Sequence, residues 1–277
     1  MLADSQEAGV GAVDTQGNCW LNFGGISLSH RVKLRRATAA ADKSINPLRF
    51  PMAQRVLLGV LDKGARDWKM KDLADVCGVS LGQAFKVCLW LVGQEWADRP
   101  SRGHFKITKP ESVLDALAAA YEPKARQQNY YFSLDSKEKV EEALANSLDF
   151  AEKTLSVRSS MLQQEAVLYG FSAARRWKPF VRHLRAQLYV PGRISELVNS
   201  SNIKLEPADQ GANVVLTVPE NDNVFFFKKP HGGVWVTSPA QTYLDLLKEP
   251  LRGEEAAEKV KEYWLEEFQK GGADGLV

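Results

Sequence analysis

Residues 70–94 read MKDLADVCGVSLGQAFKVCLWLVGQ, two amphipathic segments meeting at a single glycine. From Met70 to Val76 the residues Leu73, Ala74 and Val76 fall on an inner side, which predicts a short helix. Cys77-Gly78-Val79 is a tight turn, with glycine where the chain needs a positive φ. Ser80 then caps a longer helix in which Ala84, Val87, Cys88 and Leu91 form an i, i+3, i+4, i+7 stripe. Working outward, QRVLLGVLDK at residues 54–63 repeats apolar residues at helical spacing and stops at Gly64, a common residue just past a helix end. Downstream of Trp96, ADRPSRGHFKIT places a turn, Arg99 to Gly103, between two short β-capable runs. Helix, short helix, glycine turn, Ser-capped helix and hairpin is the layout of a winged helix-turn-helix. It is expected from Leu48 to Thr108, within a domain at 47–122 that closes with a helix from Ser112 to Tyr121.

A helix that reads DNA presents polar side chains from its first turns to base edges while its other face packs inward. Ser80, Gly82, Gln83 and Lys86 are the candidates on the third helix, where Gln can bond adenine edges, Lys can reach guanine or phosphate, and Gly allows close approach. In the wing, Arg99, Arg102, His104 and Lys106 are candidates for phosphate or minor-groove contact. Charge supports them. Arg31 to Lys109 holds 16 Lys and Arg against 7 Asp and Glu, a surplus of +9 inside a chain of net +2, so the remainder is near −7. A basic segment beside an acidic one is expected of a nucleic-acid-binding domain joined to a partner with different work.

With 277 residues, 44% apolar and 25% charged, the chain reads as an ordinary globular protein of two units. No apolar run approaches the roughly 18 residues that span a bilayer, and the N-terminus has neither a basic start nor a hydrophobic stretch. A cytoplasmic location without membrane contact is the expectation. Cys19, Cys77 and Cys88 are widely spaced, with no Cys-x-x-Cys pair and no His in ligand spacing, so neither a disulfide framework nor a metal site is expected, and no cofactor motif stands out.

Residues 1–46 read as a short β element over 10–30 and a basic linker. Pro123 to Asn129 reads as an exposed linker, and 129–277 as a second, mixed α/β domain, giving an α+β fold class. Lys137 to Leu155 aligns Val140, Leu144, Leu148, Ala151 and Leu155 on one helical face. Strands are expected at 166–169, 186–190, 213–218, 224–227 and 234–236, with helices near 172–181 and 193–199. Ser238-Pro239-Ala240-Gln241 has the form of a capping box opening a helix through Leu247, and a final helix at 254–268 turns Ala257, Val260, Trp264 and Phe268 inward. Asp245 and Arg252 are expected to form a structural ion pair. Arg175, Arg176, Arg182 and Arg185 form a basic cluster around His183, a candidate surface for a partner.

The segment from Val236 to Trp264 resembles the signature of AbiEi-type antitoxins, from type IV toxin–antitoxin systems of the abortive-infection group. Its matching elements are Ser238-Pro239, Gln241, Tyr243-Leu244-Asp245-Leu246, and Arg252-Gly253 followed by Glu255-Ala256-Ala257; Tyr169 to Ala174 resembles the stretch that opens the family's C-terminal domain. The resemblance implies a winged-helix module that binds double-stranded DNA at its own operator and represses its operon. It also implies a nucleotidyltransferase-like C-terminal domain that counters a nucleotidyltransferase-like toxin, directly or indirectly. Catalysis in that fold needs a Gly-Ser or Gly-Gly turn and then paired Asp carboxylates on the next strand to hold two metal ions. Gly170-Phe171-Ser172 supplies a turn, but Arg185-Ala-Gln-Leu-Tyr-Val190 carries no acid, so a degenerate, non-enzymatic domain is expected. A homodimer is expected on a palindromic operator. The alternatives are a stand-alone, plasmid-borne regulator without a toxin partner and an active nucleotidyltransferase.

Overall fold

The computed structural model describes residues 12–13, 19–23, 26–30, 47–98, 104–147, 165–179, 183, 185–192 and 194–271, in two compact units, Met1–Ile45 and Asn46–Val277. In the first, β1 (Ala12–Val13), β2 (Cys19–Phe23) and β3 (Ile26–His30) form an antiparallel sheet in chain order, with Trp20 opposite Ser29 and Leu21 opposite Leu28. The basic stretch at 31–46 lies outside the described residues.

The second unit begins with α1 (Pro51–Asp62), which has Pro at its first position, where the missing N–H costs nothing. Gly64 follows it at φ +78°. A two-residue strand, β4 (Trp68–Lys69), leads into α2 (Met70–Cys77), which ends at Gly78 with φ +59° in the left-handed region, as its sequence position predicts. The chain then bends by 111° into α3 (Leu81–Gly93). Ser80 caps α3, its hydroxyl oxygen accepting the Gln83 N–H at 3.2 Å. Ala84, Val87, Cys88 and Leu91 are buried as their spacing requires. Helices α1 and α2 approach so closely that a Cβ on Gly59 would lie 2.4 Å from the Cys77 sulfur. Burial pushes the thiols of Cys77 and Cys88 up to about 12, so they are inert core groups. Next, β5 (His104–Phe105) pairs antiparallel with β4, Trp68 opposite Phe105, and Ala97 bridges Ile107, so the two sides of the expected hairpin are joined at its base. Its tip, residues 99–103, lies outside the described residues. Helix α4 (Pro110–Ala120) follows.

At residues 123–129, where a linker is expected, β6 (Ala125–Phe132) begins instead, because its backbone pairs along most of its length with β10 (Val214–Pro219), Tyr131 opposite Val214. Local polarity carries no trace of a partner 80 or so residues away. The remaining elements are α5 (Lys137–Ser147), β7 (Val167–Leu168), α6 (Gly170–Trp177), β8 (Ala186–Tyr189), α7 (Ile194–Ser200), β9 (Glu206–Pro207), α8 (Asn223–Phe226), β11 (Lys229–His231), β12 (Val234–Val236), α9 (Pro239–Leu246) and α10 (Gly253–Lys270). Leu148, Ala151 and Leu155 of the helix expected over 137–155 lie outside the described residues. The sheet runs β11-β12-β7-β8-β10-β6-β9, with β12 parallel to β7, β8 parallel to β10, and the other pairs antiparallel. The fold class is α+β.

The strand expected at 224–227 is a helical turn, α8. Phe225 and Phe227 are buried, while Phe226 lies against the Arg55 guanidinium, 3.7 Å from ring centroid to carbon. A four-residue apolar run fits either period, and tertiary packing decides between them. Asn223 anchors the turn by accepting from Arg55 Nε at 2.8 Å and donating to the Pro51 carbonyl at 2.7 Å.

One apolar cluster joins α1–α4 to the C-terminal helices: Leu57, Leu61 and Leu117 share it with Tyr243, Leu244, Val260, Trp264 and Phe268. The Trp264 indole N–H donates to the Leu61 carbonyl at 2.9 Å, and the Ala65 N–H donates to the Phe268 carbonyl at 2.9 Å. Leu61 lies in the last turn of α1, where carbonyls have no intrahelical partner, so the tryptophan satisfies an orphan while filling the core. A second cluster lines the sheet, from Val140 and Leu144 to Leu188 and Leu216. Because the first cluster crosses residues 123–128, the Asn46–Val277 unit should unfold in one step. Trp264→Ala is expected to cost about 3–5 kcal/mol, with circular dichroism and tryptophan fluorescence melting together in urea; separate transitions for the two probes would show independent parts.

Candidate nucleic-acid interface and a buried carboxylate hub

The 111° bend between α2 and α3 is the angle of a helix-turn-helix, and it leaves the outer side of α3 uncovered. Of the residues expected to read DNA there, Gly82 and Lys86 are exposed on that side, and a Cβ built on Gly82 would meet nothing within 4 Å. Ser80 is exposed but spends its side chain on the cap, and Gln83 is half-buried at the flank. Lys106 is exposed; His104 sits beside Asp67, 3.1 Å from Nδ1 to the carboxylate, so it is engaged within the protein. Arg99 and Arg102 lie outside the described residues. Sequence reasoning passed over Leu81, Phe85 and Leu89, which are 54%, 44% and 46% exposed. Their i, i+4, i+8 spacing, offset from the buried stripe, is the signal that finds them.

A second constellation lies at the seam between α4, the sheet and α9. Asp245 is 5% exposed, and its Oδ1 accepts three hydrogen bonds: from Tyr121 at 2.7 Å, Gln241 at 2.8 Å and Tyr189 at 3.0 Å. Gln241 also donates to the Tyr121 oxygen at 2.8 Å. The stacked Tyr169–Tyr189 pair, centroids 4.0 Å apart, borders the same cavity of about 260 Å³. Burial pushes the Asp245 carboxyl up to about 7, against the pull of its three donors, and the Glu249 charge adds to the rise. Burial and Asp245 likewise drive Tyr121 and Tyr189 well above the ordinary phenol range, so both remain donors. The expected Asp245–Arg252 pair does not form. Arg252 is at the exposed start of α10, gripping Glu255 at 2.9 and 3.1 Å, whereas Asp245 points into the core.

The basic cluster on α6 is largely spoken for. Arg175 pairs with Glu138 and Arg176 with Glu141 at 3.2 Å, both acids being on α5; Arg185 is exposed, and Arg182 lies outside the described residues. His183 is buried between Ser172 and Glu141, its Nε2 3.2 Å from the hydroxyl and 3.6 Å from the carboxylate. This grouping has the residue types of a nucleophilic triad without its wiring. Serine and acid meet the same nitrogen, whereas a triad places them on opposite ones, and the fully buried Ser172 oxygen accepts the Gln187 N–H at 3.0 Å. Glu141 lies below its ordinary value: burial would raise it, but hydrogen bonds from His183 and Ser172 and the charges of His183 and Arg176 outweigh that.

Residues 106–266 match the family model described as transcriptional regulator, AbiEi antitoxin, type IV toxin–antitoxin system. The chain belongs to the AbiEi antitoxin family. No curated protein and no solved structure matches it. Membership makes this AbiEi-family chain a transcriptional regulator and antitoxin of a type IV system. The matched region opens at the base of the hairpin and closes in α10, so α1–α3 lie ahead of it.

Within the AbiEi-family region, Gly170 turns at φ +54° between β7 and α6, where a Cβ would lie 2.8 Å from the Gln187 amide oxygen. That oxygen accepts the Phe171 N–H at 2.9 Å, and the Gln187 amide donates to Glu249 at 2.5 Å. Strand β8 thus spends Gln187 and Tyr189 on hydrogen bonds within the protein. Among the described residues, no three His, Cys, Asp or Glu side chains gather to hold a metal, and no helix is long and apolar enough to cross a membrane.

Because the folded Asp245 carboxyl holds its proton to about pH 7, its stabilising contribution is complete below about pH 4, the unfolded value, and is lost as pH rises through 7. Asp245→Asn keeps an acceptor oxygen and removes the titration. Its melting temperature, compared with wild type, should gain by several degrees between pH 5.5 and pH 8; a difference that stays constant over that range would remove Asp245 as the titrating group.

Proposed function

We propose that the chain is a DNA-binding autorepressor that occupies its own operator and also counters a nucleotidyltransferase-like toxin, directly or through other components. We assign 47–122 to a winged helix-turn-helix and 129–277 to a degenerate nucleotidyltransferase-like antitoxin part that works without catalysis, in the cytoplasm, with homodimers on a palindromic operator. The observation that carries the DNA half is the uncovered side of α3 beyond the 111° bend, with Lys86 on it, followed in the chain by a hairpin joined at Ala97 and Ile107. The surplus of +9 over residues 31–109 favours a polyanion. The absence of an acid from β8, whose inner face gives Gln187 and Tyr189 to hydrogen bonds within the protein, supports a role without nucleotidyl transfer.

Protein binding to a duplex from the region upstream of its own coding sequence should be salt-sensitive. Lys86→Ala and Lys106→Ala should each lower the slope of log K against log salt by about 1. A wild-type protein that forms no complex at low salt rules out operator binding. For the antitoxin half, co-expression with a neighbouring nucleotidyltransferase-like toxin should restore growth, and continued arrest would count against neutralisation.

A further inference from the structure

The outer face of α3 is chemically unusual for a helix that enters DNA. Its exposed members are Leu81, Gly82, Phe85, Lys86, Leu89 and Gly93, so a single side chain, Lys86, donates hydrogen bonds there. Gln83, the one amide of the first turns, is half-buried. In the major groove, guanine, cytosine and adenine edges differ in donors and acceptors, and thymine alone among the four bases adds an apolar group, the C5-methyl. An apolar stripe can gain free energy from that methyl and has nothing to offer the other edges.

Resting on the DNA-binding reading above, we infer that α3 reads thymine methyl groups, with Leu81 and Phe85 as the contacting side chains and Lys86 fixing register on an adjacent guanine or phosphate. The operator is therefore expected to place A·T pairs under the first two turns of α3. Three observations point to DNA and away from other occupants. The stripe begins at the Ser80-capped end of α3, the end that enters the groove in this class of motif. Nothing obstructs Gly82, so the helix backbone can approach the bases closely. Exposed Lys86 interrupts the stripe with a charge complementary to phosphate, and Lys69, Lys71 and Lys106 are also exposed. A two-fold pairing of this face with a second copy would instead bring like positions, Lys86 among them, toward each other.

The test compares two versions of the same upstream duplex, amplified with dTTP or with dUTP, which differ only in the thymine methyls. The full-length protein should bind the dUTP duplex at least about tenfold more weakly, as loss of a few buried methyl contacts predicts. Phe85→Ala, at an exposed position and so expected to melt with wild type, should bind the dTTP duplex more weakly and lower the ratio between the two duplexes toward one, Leu81 keeping its share. Equal wild-type affinity for both duplexes overturns the inference, as does an unchanged ratio in Phe85→Ala. So does a Phe85→Ala protein that light scattering shows to have lost an oligomeric state while its ratio stays the same, which would assign the face to a second copy. Failure of the dTTP duplex to bind at all is a different result, since it removes DNA binding itself.

Discussion

The seating of Trp264 on the end of α1 is the constraint on which the second unit depends. Its ring fills space between α1 and the C-terminal helices, and its indole N–H satisfies the Leu61 carbonyl, a group that burial would otherwise leave unpaired. Removing it costs twice, in packed area and in a stranded acceptor. Because residues 61 and 264 lie near opposite ends of the unit, this contact also closes the chain on itself, so that α1 and the helices packed on it share one cluster with the last helix. The Lys261–Asp115 pair at 2.6 Å strengthens the same seam from its exposed side.

The Asp245 hub works at that seam with a different currency. A carboxylate buried among two phenols and an amide is expensive to charge, and three donors converging on one of its oxygens offset only part of that cost. In exchange, the hub ties α4, β8 and α9 through directional bonds that apolar packing cannot supply. It holds the helical half against the sheet through a carboxyl that burial raises to about 7. Glu249, held by Gln187, lies next in the same polar line, so both Gln187 and Tyr189 of β8 are employed in internal bonding.

The two basic features of the chain have opposite fates. On α6, Arg175 and Arg176 are neutralised by the acids of α5, and their charge goes into holding helix to helix. On α3 and beside the hairpin, Lys86 and Lys106 remain exposed. A count of charges along the chain does not separate these cases. Whether a cation is free depends on what its helix packs against, and that is set by elements 30 or more residues distant.

Much of the local structure is legible from the residues. Ser80 and Ser238 are capping residues whose hydroxyls accept the N–H three residues on, Gly78 turns at positive φ, and the buried faces of α3 and α10 fall where the 3.6-residue period puts them, because caps, turns and amphipathic faces are properties of neighbours in sequence. The family signature around Ser238 to Ala257 is local in the same sense. What only the tertiary structure decided is long-range: β6 in place of a linker, a helical turn in place of a strand at 224–227, Asp245 bonded to Tyr121 and Tyr189 in place of Arg252, a cluster shared by α1–α4 and the C-terminal helices, and an apolar outer face on α3. Each depends on a partner far away in the chain, and a residue's own type and spacing carry no record of which distant surface will cover it or leave it bare.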